Sequence, residues 1–444
     1  MTALRLIHTP QGLRCALPTA RNMMSGKFPP TALRARLSWG VTTDRLTVEI
    51  TDGMGDNPGL SEIEVFPTPD SAGDYVSLVD PMIETTRGRY FFFITGCGPQ
   101  GMIGAAPMTR NKNRGGGGYN YNDSHILGFP QIHAWMLSGL TFMPACNGVE
   151  PWRGEERWQS AFSHTGESAS PGYYGVVLAD EGIRAELSAT PRTGIHRYTY
   201  PEGAQERRLW VDVDRSMAKG CWGCHIIQAQ LRQTAPDVVE GYRVITGWAK
   251  MRRVYFSIEF SQPVEIVELR DGDRVLTDGT TVINGTAPRG LFRVLGDGRD
   301  VVAKVGISPV SAAGARENRM AEAKGNDFGS YVAAADSLWD DALGRIEVTG
   351  EPERLTTFYT AMYHMMIQPN LFSDRNGEFM LPDYSTAKAP EGENRYTTFS
   401  LWDTYRAAHP FYTILFPELT RDFVNSMLDH YDAYGYLPIW LTAS

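Results

Sequence analysis

Cysteine is scarce in this chain. Five occur in 444 residues, Cys15, Cys97, Cys146, Cys221 and Cys224, and so odd and sparse a set excludes a disulfide framework. Positive charge is in deficit: 42 basic residues stand against 51 acidic ones, a formal balance of −9. That excludes the basic face that a nucleic-acid or anionic-membrane partner needs. No uninterrupted apolar run is long enough to cross a bilayer, so no membrane span is expected. The segment 1–18 has neither an apolar core of signal-peptide length nor a clean cleavage site, and no export signal is legible in it. No repeat with a period of roughly 20–50 residues is visible. Apolar residues, by contrast, make up 42% of the chain. That is enough for large cores and excludes global disorder, and the length leaves room for about two to four domains.

The hydrophobic period changes along the chain. Residues 32–66 alternate as strands do, with Leu46, Val48 and Ile50, then Ile63 and Val65, around the turn TDGMGDNPG. PTPDSAGD (67–74) has the composition of a linker. From Tyr75 to about Ser311 the period is two. Examples are Ile183, Ala185 and Leu187, then Leu209, Val211 and Val213, then Val254, Phe256, Ile258 and Phe260. Many short strands with turns such as RDGD (270–273) and GDGRD (296–300) predict an antiparallel sandwich over 75–311.

After Ser311 the period becomes helical. Phe328, Tyr331, Val332, Ala335, Leu338, Trp339, Ala342 and Leu343 form one stripe, with Asp327 as N-cap and Gly344 as stop. Residues 312–345 therefore read as linker helices. A helix follows at Leu355–Met362, another contains SLWDTYRAAH and is limited by Pro410, and a last one begins near Pro417 and carries Leu419, Val424, Leu428 and Tyr431. The stripes at 328–343 and 419–431 need facing helices. Without them they are expected to meet water.

Two blocks carry a family resemblance: FSHTGESASPGYYGVVLADEGIRAELSATPRTGIHRYTYP (162–201) and YTTFSLWDTYRAAHP (396–410). Both resemble glycoside hydrolase family 92, the exo-acting α-mannosidases. RGRYFFFITGCGPQGMIGAAP (87–107) and GYNYNDSHILGFPQIHAWMLSGL (118–140) resemble that family's first two loops at the sugar site, with His133 at the matching histidine. LTVEITDGMGDNPGLSEIEVF (46–66) resembles the end of a discoidin-like carbohydrate-binding domain, so residues 1–66 read as its remnant. The resemblance implies a multi-domain fold, β then α: an antiparallel β-sandwich followed by the first helices of an (α/α)6 barrel, begun at 346–444. It also implies inverting release of terminal α-linked mannose, a mannose-containing glycan as partner, a calcium ion, and a secreted or periplasmic location.

SLWDT is the sharpest unit. An Asp accepts two sugar hydroxyls and an indole covers the apolar sugar face, so Trp402 and Asp403 are candidate substrate-binding residues. Adjacent residues on a helix diverge by about 100°, so both border one pocket only from the side facing the barrel axis. Arg406, three residues on, is a further candidate. The alternative is a helix ion pair Asp403–Arg406 beside a core tryptophan. His133 is the fourth candidate, and its alternative is a satisfied structural histidine. Inverting cleavage needs two carboxylates about 6.5–9.5 Å apart. In the family these lie beyond the segment matching GYLPIW (435–440). The catalytic residues and calcium ligands are therefore expected beyond Ser444, no metal ligand is assigned within the chain, and residues 1–444 alone are expected to be inactive.

Three other motifs read as decoys. Cys221-Trp-Gly-Cys224-His225 fits haem attachment or a redox pair, but it falls between strand runs and has no second cysteine pair, so packed thiols are expected. Gly115–Gly118 lacks the Lys-Ser/Thr of a phosphate loop. DRNGE (374–378) is too short for a calcium loop and reads as a type I turn. The rival to hydrolysis is a non-catalytic carbohydrate-binding module. A different sandwich-plus-barrel enzyme, a phosphorylase or lyase, is disfavoured by SLWDT together with ESASPGYY.

Overall fold

A computed structural model describes residues 73–86, 94–109, 118–132, 139–146, 158–216, 223–276 and 279–441. It also describes three short strands nearer the N-terminus. In that small sheet Arg5–Thr9 pairs antiparallel with Gly12–Ala16, which pairs parallel with Leu46–Glu49. The rest of the proposed discoidin-like remnant (1–66) and nearly all of the linker at 67–74 lie outside the described residues.

Two antiparallel sheets form the sandwich. The nine-stranded sheet runs, edge to edge, Val282–Gly285, His225–Ala235, Val238–Thr246, Arg252–Phe260, Asp300–Ser308, Thr193–Thr199, Ile183–Ala189, Tyr173–Leu178 and Glu167–Ser170. The six-stranded sheet runs Arg274–Leu276, Val264–Asp271, Pro288–Val294, Arg207–Asp212, Gly139–Cys146 and Phe129–Ile132. The period-two residues point between the sheets: Val176, Leu178, Ile183, Ala185, Leu187, Phe256 and Ile258 are fully buried, against Phe129, Phe142, Leu209, Val211 and Phe292. Each large apolar side chain so buried contributes roughly 1.5–3 kcal/mol.

Six helices follow: α1 (Ala312–Glu322), α2 (Phe328–Leu343), α3 (Pro352–Met365), α4 (Leu401–Thr404), α5 (Ala408–Leu415) and α6 (Pro417–Tyr434). Ser311 caps α1 by accepting from Gly314 N–H, and Asp327 caps α2 by accepting from Gly329 N–H. α1 lies on the sandwich so closely that a Cβ on Gly306 would stand 2.2 Å from the carbonyl oxygen of Ala315.

The stripe on α2 does not face water. Phe328 and Tyr331 pack on Ile195 and Val302 of the sandwich. Two turns on, Trp339, Ala342 and Leu343 join a second core with Val76, Val79, Tyr359, Tyr363, Tyr412 and Phe423. The expectation of an unpartnered α2 is thus corrected, because the sandwich faces its first half and the second core faces its last turns. Leu338 is the one member of the stripe left out, at 47% exposure. The outer face of α6 does meet water, with Val424, Leu428 and Tyr431 exposed.

Pro410 does not end a helix, as the sequence suggested. SLWDTYRAAH splits into one-turn α4 and a separate α5 that contains Pro410 in its first turn. The backbone N–H groups of a first turn have no intrahelical acceptor, so proline is tolerated there.

Candidate functional site

The SLWDT turn is held from both sides. Phe399 is buried and pairs with Leu441, and Ser400 pairs with Trp440. The N–H of Leu401 donates to the carbonyl of Ile439 at 3.0 Å. Just before this point Thr398 adopts φ +66°, a left-handed conformation strained for a β-branched residue. Its hydroxyl is buried without an acceptor or donor among the described residues. Strain of this kind persists only where the surroundings over-determine the backbone. Here it turns the chain from the strand Tyr396–Thr397 into the strand Phe399–Ser400, from which α4 starts.

α4 projects its side chains into solvent. Trp402 is 69% exposed. Asp403 is exposed and accepts from the hydroxyl of Ser400 through Oδ2 at 2.5 Å, leaving Oδ1 without a protein partner among the described residues. Arg406 does not pair with Asp403. It lies beyond the end of α4, and its Nε donates to Tyr405 Oη at 2.6 Å. The helix ion pair offered as the structural alternative for Asp403 is therefore not formed, and the carboxylate and indole stand open on one short turn. His133 lies outside the described residues.

The sandwich reaches towards this region. Trp248, on the turn after Val238–Thr246, meets Trp440 edge to face with ring centroids 4.6 Å apart. Lys250 Nζ donates to Tyr434 Oη at 3.5 Å. A separate shallow cleft between residues 372–397 and α6 is lined by Phe372, Phe379, Arg395, Tyr396, Asp429 and His430, and not by Trp402 or Asp403.

The decoys resolve as ordinary structure where they are described. Cys224 is buried, and Cys221 lies outside the described residues. Burial pushes the Cys97 thiol up to about 11 and the Cys146 thiol up to about 12, which leaves both inert as nucleophiles. DRNGE is a tight turn, closed by Gly377 N–H donating to the carbonyl of Asp374 at 2.9 Å. Among the described residues no three His, Cys, Asp or Glu side chains converge to hold a metal ion.

Sequence reasoning missed Asp374 itself. It is 2% exposed, and its carboxylate accepts from Ser308 Oγ at 2.6 Å and Asn318 Nδ2 at 2.8 Å. It thereby ties the end of the sandwich and α1 to the first hairpin of the helical part. Only the crowding at Gly314, where a Cβ would stand 2.4 Å from Asp374 Oδ2, marks the position locally.

Comparison with known proteins decides the family. Residues 78–308 match the glycosyl hydrolase family 92 N-terminal domain, and residues 314–444 match the family 92 catalytic domain. The chain belongs to glycosyl hydrolase family 92. Among solved structures it is similar to the family GH92 α-mannosidase BT3965 from Bacteroides thetaiotaomicron, with 31% identity and a TM-score of 0.75 over 84% of this chain and 52% of that one. The same relative in complex with mannoimidazole gives 31% identity and a TM-score of 0.73, over 84% and 50%. The family GH92 inverting mannosidase BT2199 from Bacteroides thetaiotaomicron VPI-5482 gives 25% identity and 0.71, over 82% and 49%. The family 92 chain thus spans about half the length of the solved relatives it matches. No curated protein matches it.

Proposed function

We propose that the protein this chain belongs to hydrolyses terminal α-linked mannose from glycans with inversion at the anomeric carbon. The carrying observation is the open Trp402–Asp403 turn, in a chain whose two parts match family 92 and whose solved relatives include an α-mannosidase with mannoimidazole bound. In this reading Asp403 Oδ1 accepts sugar hydroxyls while Ser400 holds Oδ2 in place. The Trp402 indole covers the apolar face of the ring. Arg406 and His133 are proposed as further substrate contacts. Inversion requires an acid and a water-activating carboxylate about 6.5–9.5 Å apart, and neither role is assigned to a described residue. Calcium enters from the family resemblance alone, and no step is derived through it. A secreted or periplasmic location belongs to the same proposal and is tested by cell fractionation.

Asp403→Asn in the whole protein is expected to lower kcat/KM by roughly a hundredfold or more, since a charged hydrogen bond to the sugar is lost. The melting temperature should hardly change, because the side chain is exposed. A large fall in melting temperature with activity intact would assign Asp403 a structural role instead. Proton NMR of the first-formed sugar tests the stereochemistry: retained configuration overturns the inverting reading. Full activity after exhaustive chelation overturns the calcium requirement.

A further inference from the structure

A buried arginine at the end of the sandwich has no counterion among the described residues. Arg252 opens the strand Arg252–Phe260 and is 3% exposed. Its Nε and Nη1 are sealed from solvent and meet no acceptor. In the antiparallel register Ile245 faces Arg252 and Arg243 faces Val254, so the two arginines are diagonal neighbours on one face of the sheet. Arg243 is fully buried. Burial, and then the charge of Arg243, push Arg252 down to about 9. At neutral pH it remains a cation.

The carboxylates that act on Arg243 are paired with another arginine. Asp212 pairs with Arg289 Nε at 2.9 Å, and Asp214 pairs with Arg289 Nη2 at 3.1 Å. Asp212 Oδ1 also accepts the backbone N–H groups of Asp214 and Arg215, each at 2.8 Å. These two carboxylates favour the charged form of Arg243, whereas among the described residues the charge that shifts Arg252 is that of Arg243. The neighbouring Arg253 lies over the ring of Tyr384. What Arg252 does meet is the ring of Phe372, 6.0 Å from its guanidinium carbon, at the outer limit of a cation–π contact. A desolvated guanidinium with no acceptor is among the costliest groups a fold can hold, and one acceptor anion removes that cost.

We propose that Arg252, backed by Arg243 and walled by Phe372, is the cationic half of an oxyanion-binding site at this end of the sandwich, taking a small phosphate-like ion. Guanidinium hydrogens are matched to such oxygens in geometry as well as charge. The site shares no residue with the Trp402–Asp403 turn, and it stands or falls independently of the mannosidase reading.

The test is a titration of the whole chain with inorganic phosphate, with ionic strength held constant by sodium chloride. Calorimetry and phosphorus NMR line width read binding, and thermal unfolding reads stabilisation. Wild type should bind saturably, with a melting temperature that rises along the same isotherm. Arg252→Met, close in volume, should abolish saturable binding and should melt at or above wild type in phosphate-free buffer. Arg252→Lys keeps the charge but loses the planar donors and should bind at least about tenfold more weakly. General salting-out by phosphate acts on all three proteins alike, so only their difference counts. Absence of saturable binding by wild type overturns the proposal, including the case in which a protein carboxylate closes the site. So does Arg252→Met binding as well as wild type. Should Arg252→Met fail to fold, the wild-type titration and Arg252→Lys decide the matter.

Discussion

Asp374 shows how a single residue can link two parts of a fold. Burial pushes its carboxyl up to about 6 from an ordinary 3.8, against the opposing hydrogen bonds from Ser308 and Asn318. Below about pH 4 the group is protonated in both folded and unfolded chains and contributes no pH dependence. Between about pH 4 and 6 the folded state alone keeps the proton, so stability falls as pH rises and levels off above about 6. The fall attributable to this group is on the order of 2–3 kcal/mol. Asp374→Asn should remove that slope, because an amide stays neutral while its oxygen still accepts from Asn318. Denaturant unfolding of both proteins from pH 4 to 7 checks this, and parallel slopes would exclude Asp374 as the source. Thr398 is the second residue of consequence. Thr398→Gly relieves the left-handed strain and removes a buried unpaired hydroxyl, at some cost in backbone entropy. A net stabilisation of roughly 1 kcal/mol is expected in chemical unfolding. In the whole protein the same change should lower kcat/KM, because the turn that aims Asp403 loosens.

Among the elements, α2 matters most. It spans two cores, with Phe328 and Tyr331 on the sandwich and Trp339, Ala342 and Leu343 in the helical part. Trp339 is fully buried and its Nε1 donates to the carbonyl of Cys97 at 2.8 Å. Trp339→Ala should cost about 3–5 kcal/mol, while Leu338→Lys on the exposed side should stay within about 0.5 kcal/mol of wild type. Equal effects of the two changes would mean that α2 is not seated as described. α6 has the opposite character. Its inner residue Phe423 is buried, but Val424, Leu428 and Tyr431 form an exposed apolar row. Residues 1–444 in isolation should therefore self-associate through this row, and Val424→Glu with Leu428→Glu should shift the chain towards monomer in light scattering.

At the scale of the molecule, sandwich and helices are not separated at Ser311. α1 lies on the strands Arg252–Phe260 and Asp300–Ser308, and Arg192 reaches from the sandwich to Glu322 at 2.9 Å and, through its Nε, to the carbonyl of Ser373 at 2.8 Å. A protease cut within α1 or α2 is therefore not expected. Limited trypsin digestion should leave residues 312–343 with the sandwich, since buried helical backbone resists cleavage. An early stable fragment ending at Arg316 or Arg319 would contradict this packing.

The sequence by itself determined the order of the parts: a period of two through the sandwich, then a period of 3.6 with Asp327 starting α2 and proline starting α6. Those signals are local, because side-chain direction follows directly from backbone period. It also determined the family, through blocks that both domain matches contain, and it marked Trp402 and Asp403 as the residues to examine. Tertiary structure decided what depends on residues far apart in the chain. It seated the α2 stripe on Ile195 and Val302, divided SLWDTYRAAH between α4 and α5, and left Arg406 apart from Asp403. It also made Asp374 a buried joint and Arg252 a buried cation. Burial and partners come from the packing of distant segments, and no window of sequence contains both sides of such a contact.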